Sequence, residues 1–205
     1  FNNKGDCVNN NKIKKMSWEE IVKASEKIIT FYDLCGHEKY LRTTIYGYSM
    51  SHPDYSLIVV GSNMGITHMT KEHIFTSLAL KIPMIVVITK VDICPKDILK
   101  ETINNIKNLL KSSCVRKIPY MIKSKDDTIL CSKNINSDNI VPIFTISNVS
   151  GNNLNLFSNF LNLLPNNSQL YKNKNKYVEF NIDRLYQING TGTVLSGLLK
   201  SGTVN

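Results

Sequence analysis

Met84-Ile-Val-Val-Ile-Thr-Lys-Val-Asp92 decides the fold, because an unbroken apolar run stops at a polar turn. Short β-branched runs of this kind are typical of strands that are buried on both faces of a parallel sheet. Two more such runs end at polar loops: 28–32 precedes Asp33-Leu-Cys-Gly36-His37, and 140–145 precedes Ile146-Ser-Asn-Val149. Open α/β sheets bind ligands at the carboxyl ends of their strands. We therefore expect the three loops to line one ligand site.

Strand patterns alternate with helical patterns over most of the chain. The predicted strands are 28–33, 55–61, 84–89, 118–122 and 140–145, and the predicted helices are 17–27, 38–48, 70–81, 95–111 and 153–164. The first helix has Ser17 as its cap and Glu20 three residues later. The stretch between 122 and 140 is polar and is predicted to be a connection. This alternation predicts an α/β fold with a mostly parallel sheet and helices on both faces.

The pattern changes after Pro165. Residues 166–176 are polar and poor in apolar side chains, as in a linker. Residues 178–205 alternate apolar and polar positions and carry four glycines, enough for about two hairpins of a small β-barrel. We predict an α/β domain at 1–165, a linker at 166–176 and the beginning of an all-β barrel domain at 177–205.

Charge and cysteine content limit the classes of protein. The formal charge is +9, but only three of 25 basic residues are arginine, and lysine is the less specific phosphate ligand. We interpret much of this charge as compositional bias and expect no DNA partner. Five cysteines without a C-x-x-C pair indicate reduced thiols and a cytoplasmic location. No apolar run approaches the roughly 20 residues that span a bilayer, so no membrane partner is expected.

Asp33-Leu-Cys-Gly36-His37 has the chemistry of a phosphate site. A D-x-x-G string alone is often an ordinary turn, but at a strand end its Asp can hold a magnesium-bound water. Gly36 allows a backbone N–H to approach a terminal phosphate closely. His37, next to that glycine, is placed to orient an attacking water.

Thr89-Lys90-Val91-Asp92 has the chemistry of a guanine site. A strand-end carboxylate can accept hydrogen bonds from N1 and N2 of guanine, donors that adenine lacks. Lys90 can lay its stem over the base. Ser124-Lys-Asp-Asp127 offers a second K-x-D, which we rank lower because its strand is shorter. Ser147 and Asn148 can complete the base pocket through a backbone N–H.

Taken together, DLCGHEKY, TKVD, ISNVSG and GTGTVLSG resemble the translational GTPases typified by elongation factor Tu, and especially the GTP-binding protein 1 and 2 family. The resemblance implies a P-loop NTPase-type fold that binds GTP or GDP with Mg²⁺. It implies that Asp33 acts through magnesium, that Gly36 senses the terminal phosphate and that His37 positions the hydrolytic water. The implied base-site residues are Thr89, Lys90, Asp92, Ser147 and Asn148. Thr89 departs from the usual Asn of N-K-x-D.

The sequence departs from this family in one larger respect, because it contains no G-x-x-x-x-G-K-[ST] phosphate loop. The resemblance places that loop and the first switch before Asp33 in the sequence. It also places the first strand of the fold there, and in the sheet that strand lies between the strands 28–33 and 55–61. We therefore expect a fragment that, as written, neither folds cooperatively nor binds GTP tightly.

The function expected from the resemblance is GTP hydrolysis by a translation-factor-type protein that works with the ribosome or RNA. A G-domain-like module that has lost hydrolysis and binds RNA or protein partners is the main alternative. An unrelated doubly wound nucleotide enzyme is a third hypothesis, and it requires all three motifs to be coincidental.

Overall fold

The computed structural model describes residues 1–9, 16–137, 139–166 and 177–204. Four parallel strands form a sheet of order β1-β2-β4-β3, and two later strands form an antiparallel hairpin. The strands are β1 (Ser56–Gly61), β2 (Met84–Thr89), β3 (Ile118–Met121), β4 (Ile140–Thr145), β5 (Glu179–Ile188) and β6 (Gly192–Ser201). The α-helices are α1 (Trp18–Ala24), α2 (Leu41–Ser51), α3 (His68–Ala79), α4 (Lys96–Lys111), α5 (Lys125–Asn134) and α6 (Leu154–Leu163).

The sheet is buried on both faces. In β2, Met84, Val86 and Ile88 face a core cluster that also contains Ile74 of α3 and Ile106 and Leu110 of α4. Ile85 and Val87 face the opposite cluster, which contains Cys131 of α5 and Phe160 of α6. This two-sided burial explains why β2 is apolar without alternation. It confirms the predicted α/β fold class with helices on both faces.

Strand ends are aligned at the edge that matters for a ligand. Gly61 at the end of β1 pairs with Thr89 at the end of β2, and Ile88 of β2 pairs with Thr145 at the end of β4. The residues that follow these strands therefore leave the sheet at the same carboxyl edge.

The structure contains a helix, α5, within the polar stretch between 122 and 140, where the sequence predicted none. Its buried residues are Thr128, Cys131 and Ser132, so its inner face is small and polar and gives no apolar periodicity. The available signal was the capping box, in which Ser124 and Asp127 bond reciprocally to backbone N–H groups.

The predicted strand at 28–33 is wrong, because these residues form no helix or strand. Ile28, Phe31 and Tyr32 are exposed. A strand requires a neighbour for its backbone hydrogen bonds. Within the described residues, β1 pairs with β2 alone, so this segment has no strand beside it.

The C-terminal hairpin is the predicted beginning of a β domain, with one hairpin where about two were expected. The Tyr46 hydroxyl of α2 donates to the Asp183 carbonyl oxygen of β5 at 3.1 Å. Of the predicted linker, 167–176 lies outside the described residues, and the boundaries at 165 and 177 stay predictions. In the described ranges, no helix is both long and apolar enough to cross a membrane.

Candidate functional site

Two of the three predicted loops lie side by side. The N–H of Ile146, just after β4, donates to the carbonyl oxygen of Ile88 in β2 at 2.8 Å. Neighbouring strands in a sheet are about 4.8 Å apart, so Lys90 and Ser147 follow adjacent strand ends. Lys90, Asp92 and Asn148 are exposed, whereas Ser147 is fully buried. The structure therefore gathers the predicted base-site residues at one edge.

The turn after β2 is held in an unusual conformation. Lys90 has φ +61°, a left-handed conformation that costs a residue with a side chain about 1–2 kcal/mol. Ser62, just after β1, donates its hydroxyl to the Lys90 carbonyl oxygen at 2.9 Å. Its N–H donates to the Thr89 carbonyl oxygen at 3.0 Å. Ser62 therefore holds the turn that carries Lys90 and Asp92.

Ser62 is supported from a second element. The hydroxyl of Thr102 in α4 donates to the Ser62 carbonyl oxygen at 3.1 Å, and both residues are buried. Sequence reasoning assigned no role to either residue. The signal that could have found Ser62 is a small polar residue directly after an apolar strand, at the edge where the motifs converge.

The loop after β4 is closed by its own polar groups. The Ser147 hydroxyl accepts the Ser150 N–H at 3.1 Å, and the Ser147 N–H donates to the Asn152 carbonyl oxygen at 3.2 Å. The Asn153 side-chain amide donates to the Thr145 carbonyl oxygen at 2.9 Å. The side chain of Ser147 therefore shapes the loop, and the side chain of Asn148 is exposed on it.

The residues predicted for the phosphate side, Asp33, Gly36 and His37, lie on the exposed segment that leads into α2. The buried Thr44 hydroxyl of α2 donates to the Cys35 carbonyl oxygen at 2.7 Å. His37 caps the 3-10 turn Glu38–Tyr40, where its Nδ1 accepts the Lys39 N–H at 3.1 Å. These bonds tie the segment to α2, whereas the bonds between the base-side loops do not include it.

The bond to Nδ1 determines what His37 can do. Because Nδ1 accepts a hydrogen bond, the neutral ring carries its proton on Nε2. The ring can then donate from Nε2 to a water or an oxygen. It cannot accept a proton there, so the geometry suits positioning of a water and not general-base chemistry.

A chain of buried hydroxyls joins α2 to the sheet. The Ser77 hydroxyl of α3 donates to the His73 carbonyl oxygen at 2.9 Å, and the Ser56 hydroxyl lies 2.8 Å from Ser77. The Tyr48 hydroxyl of α2 lies 3.0 Å from Ser56. Since each hydroxyl has one proton, Tyr48 donates to Ser56 and Ser56 donates to Ser77. The helix that follows His37 is thus anchored at the start of β1.

The second K-x-D string has a structural use. Asp127 accepts the Tyr120 hydroxyl and the N–H groups of Lys123 and Ser124, each at 2.9 Å. The Lys123 N–H, followed by the Tyr120 hydroxyl, lowers the pKa of Asp127. The same bond to Asp127 raises the pKa of Tyr120. The carboxylate therefore caps α5 and is not directed at a base.

Comparison with known proteins places the chain in a family. The model of the elongation factor Tu GTP-binding domain matches residues 8–171. The chain belongs to this family of translational GTPases. GTP-binding protein 1 of Xenopus laevis is 47% identical over 206 residues, which cover 100% of this chain and 31% of that protein. GTP-binding protein 2 of Mus musculus is 40% identical, covering 98% of this chain and 34% of that protein.

A solved structure agrees with this family assignment. Translation elongation factor SelB from Methanococcus maripaludis, in complex with the GTP analogue GppNHp, aligns with a TM-score of 0.56 and 26% identity. The alignment covers 83% of this GTPase-family chain and 32% of SelB. The chain spans about a third of the length of each relative named here. The resemblance to translational GTPases is confirmed.

Replacement of Ser62 tests the support of the Lys90 turn. In the natural protein that contains this sequence, Ser62→Ala removes the hydroxyl and leaves the Lys90 carbonyl oxygen without that donor, so we expect a loss of about 1–3 kcal/mol in unfolding free energy. Ser49→Ala is the matched control, because the exposed Ser49 hydroxyl bonds only to the Ile45 carbonyl oxygen of its own helix. We expect the control to stay within about 0.5 kcal/mol. Equal effects of the two variants in urea denaturation would contradict the role of Ser62.

Proposed function

We propose that this chain is the guanine-nucleotide-binding part of a GTPase of the translation-factor type, related to GTP-binding proteins 1 and 2, that acts with the ribosome or another RNA. The observation that carries the proposal is the pairing of β2 with β4, which sets the loops after both strands side by side. Family membership supports the nucleotide class.

In this proposal, the base is recognised by the two loops at that edge. Asp92 accepts the N1 and N2 protons of guanine, and the stem of Lys90 lies over the ring. Thr89 stands at the position of Asn in the N-K-x-D pattern, and its hydroxyl donates to the Val60 carbonyl oxygen at 3.4 Å. Ser147 and Asn148 complete the pocket. The exposure of Asp92 and Asn148 leaves both accessible to a nucleotide.

The phosphate side uses the segment before α2. Gly36 is open: a Cβ added there would meet no heavy atom within 4 Å, so its backbone is accessible to a terminal phosphate. The Asp33 carboxylate is exposed and, in the described part of the chain, has no hydrogen bond or ion pair. It fits Mg²⁺, which takes oxygen ligands and is often held by one or two carboxylates and its own waters. Bound Mg²⁺ would supply charge neutralisation to the phosphates.

The remaining parts of the proposal concern organisation and compartment. We place nucleotide binding in residues 1–165, a linker at 166–176 and a β domain from 177. Five free cysteines support a reducing compartment such as the cytoplasm.

Replacement of Asp92 tests the guanine site. In the natural protein that contains this sequence, Asp92→Ala leaves two donors of guanine without an acceptor, so we expect about a hundredfold weaker GDP binding and loss of preference for GDP over ADP. Asp97→Ala is the matched control, because that carboxylate lies close by in the first turn of α4 and is exposed. Competition against a fluorescent GDP analogue measures both variants. A preference for GDP that survives in Asp92→Ala would exclude Asp92 as the selecting residue.

Replacement of His37 tests hydrolysis separately from binding. In the same natural protein, His37→Ala should slow GTP hydrolysis at least tenfold while GTP affinity stays within about twofold, because His37 positions water and not the nucleotide. Phosphate release with the ribosome present, together with equilibrium binding, distinguishes the two effects. If the unaltered protein binds GTP but releases no phosphate, the alternative of a binding module without hydrolysis is correct. If His37→Ala hydrolyses at the unaltered rate, the role given to His37 is wrong.

A further inference from the structure

A segment rich in basic residues lies at one edge of the sheet. Residues 102–125 contain six basic residues and no Asp or Glu. These are Lys107, Lys111, Arg116, Lys117, Lys123 and Lys125. The segment forms the C-terminal part of α4, the edge strand β3 and the first residue of α5, which Asp126 and Asp127 follow. The fold thus brings a cationic segment to the edge opposite β1. From composition alone, we interpreted much of the positive charge as compositional bias without a binding role.

A groove of about 550 Å³ runs beside this edge. The residues that line it include the apolar Ile103 of α4 and Met121 of β3, together with Tyr120. Lys107 and Lys123 stand along it, the first half-buried and the second exposed. Apolar and aromatic surface bordered by cations is the composition that binds single-stranded nucleic acid, with bases on the apolar part and phosphates at the cations.

The carboxylate in the groove is bonded to donors of the protein itself. Asp127 lines the groove, but its oxygens accept the Tyr120 hydroxyl and two backbone N–H groups. The same bond fixes the orientation of the Tyr120 ring. The anion is therefore directed at α5 and β3, and an incoming phosphate meets Lys107 and Lys123.

The backbone of β3 is unsuited to an added strand. Ile118 and Ile122 donate their N–H groups toward β4, so Pro119, Met121 and Lys123 face outward. Pro119 has no N–H, and the N–H of Lys123 is bonded to Asp127. The Met121 N–H is therefore the one outward donor of this short strand. A single donor does not support pairing with a strand of a peptide or of a second copy. The edge therefore favours a ligand recognised by charge and apolar contact.

We propose that this cationic edge binds single-stranded RNA, with Lys107 and Lys123 at phosphates and bases against Ile103, Tyr120 and Met121. The choice of RNA as the partner rests on the proposed function, and the inference adds the surface to which that RNA binds. It is separate from the nucleotide site, which lies at the carboxyl ends of β2 and β4.

The test measures binding of a fluorescein-labelled uridine oligonucleotide to the natural protein that contains this sequence by anisotropy at several salt concentrations, without GTP or GDP. We expect Lys107→Glu/Lys123→Glu to weaken binding at least tenfold and to reduce the slope of log K against log salt by about 2. Lys71→Glu/Lys81→Glu, an equal charge change at exposed positions on and after α3, should weaken binding less than threefold. The milder Lys107→Gln/Lys123→Gln, checked by circular dichroism, separates loss of contact from loss of fold.

Two outcomes would overturn the proposal. If both charge-reversed pairs weaken RNA binding equally, the effect reflects net charge and not this edge. If the chain binds a polyglutamate peptide through Lys107 and Lys123 but does not bind the oligonucleotide, the surface is for an acidic protein. Because neither GTP nor GDP is present, neither result depends on whether the guanine site functions.

Discussion

The parallel pairing of β2 with β4 is the constraint on which the rest of the structure depends. It places Ile88 opposite Thr145 and lets the Ile146 N–H continue the ladder onto the Ile88 carbonyl oxygen. Because both strands end at the same level, the loops with Asp92 and Asn148 emerge as neighbours. Buried apolar faces on both sides of the sheet hold this register, since a shift of one residue would exchange the two faces.

Buried hydroxyls fix the loops that leave this sheet. Ser62 holds the left-handed turn at Lys90, Thr102 holds Ser62 from α4, and Ser147 closes the loop after β4. The chain from Tyr48 through Ser56 performs the same task for the helix after His37. Ser62, Ser147 and Ser56 are short polar side chains beside the ends of strands, and Tyr48 and Thr102 reach Ser56 and Ser62 from the neighbouring helices. Rigid strands therefore position the exposed groups, and small buried groups set the direction of each turn.

Sequence patterns predicted this fold where burial is two-sided. The strands at 84–89 and 140–145 have the predicted bounds, because their apolar runs are buried on both faces of the sheet and end at polar turns. Helix α5 was missed since its buried face is Thr128, Cys131 and Ser132, which carry no apolar period. The strand at 28–33 was wrong because β propensity cannot supply a neighbouring strand. The support from Ser62 and the gathering of charge at β3 depend on the tertiary arrangement, which local patterns do not encode.

Nuclear magnetic resonance of the ¹⁵N-labelled natural protein that contains this sequence, during a GDP titration, tests the central claim most directly. If the loops after β2 and β4 form one guanine site, the amides of Lys90, Asp92, Ser147 and Asn148 shift together along one binding curve, and ADP at equal concentration leaves them unmoved. Shifts in one loop without the other, or two curves with different dissociation constants, would contradict a single site at that edge of the sheet.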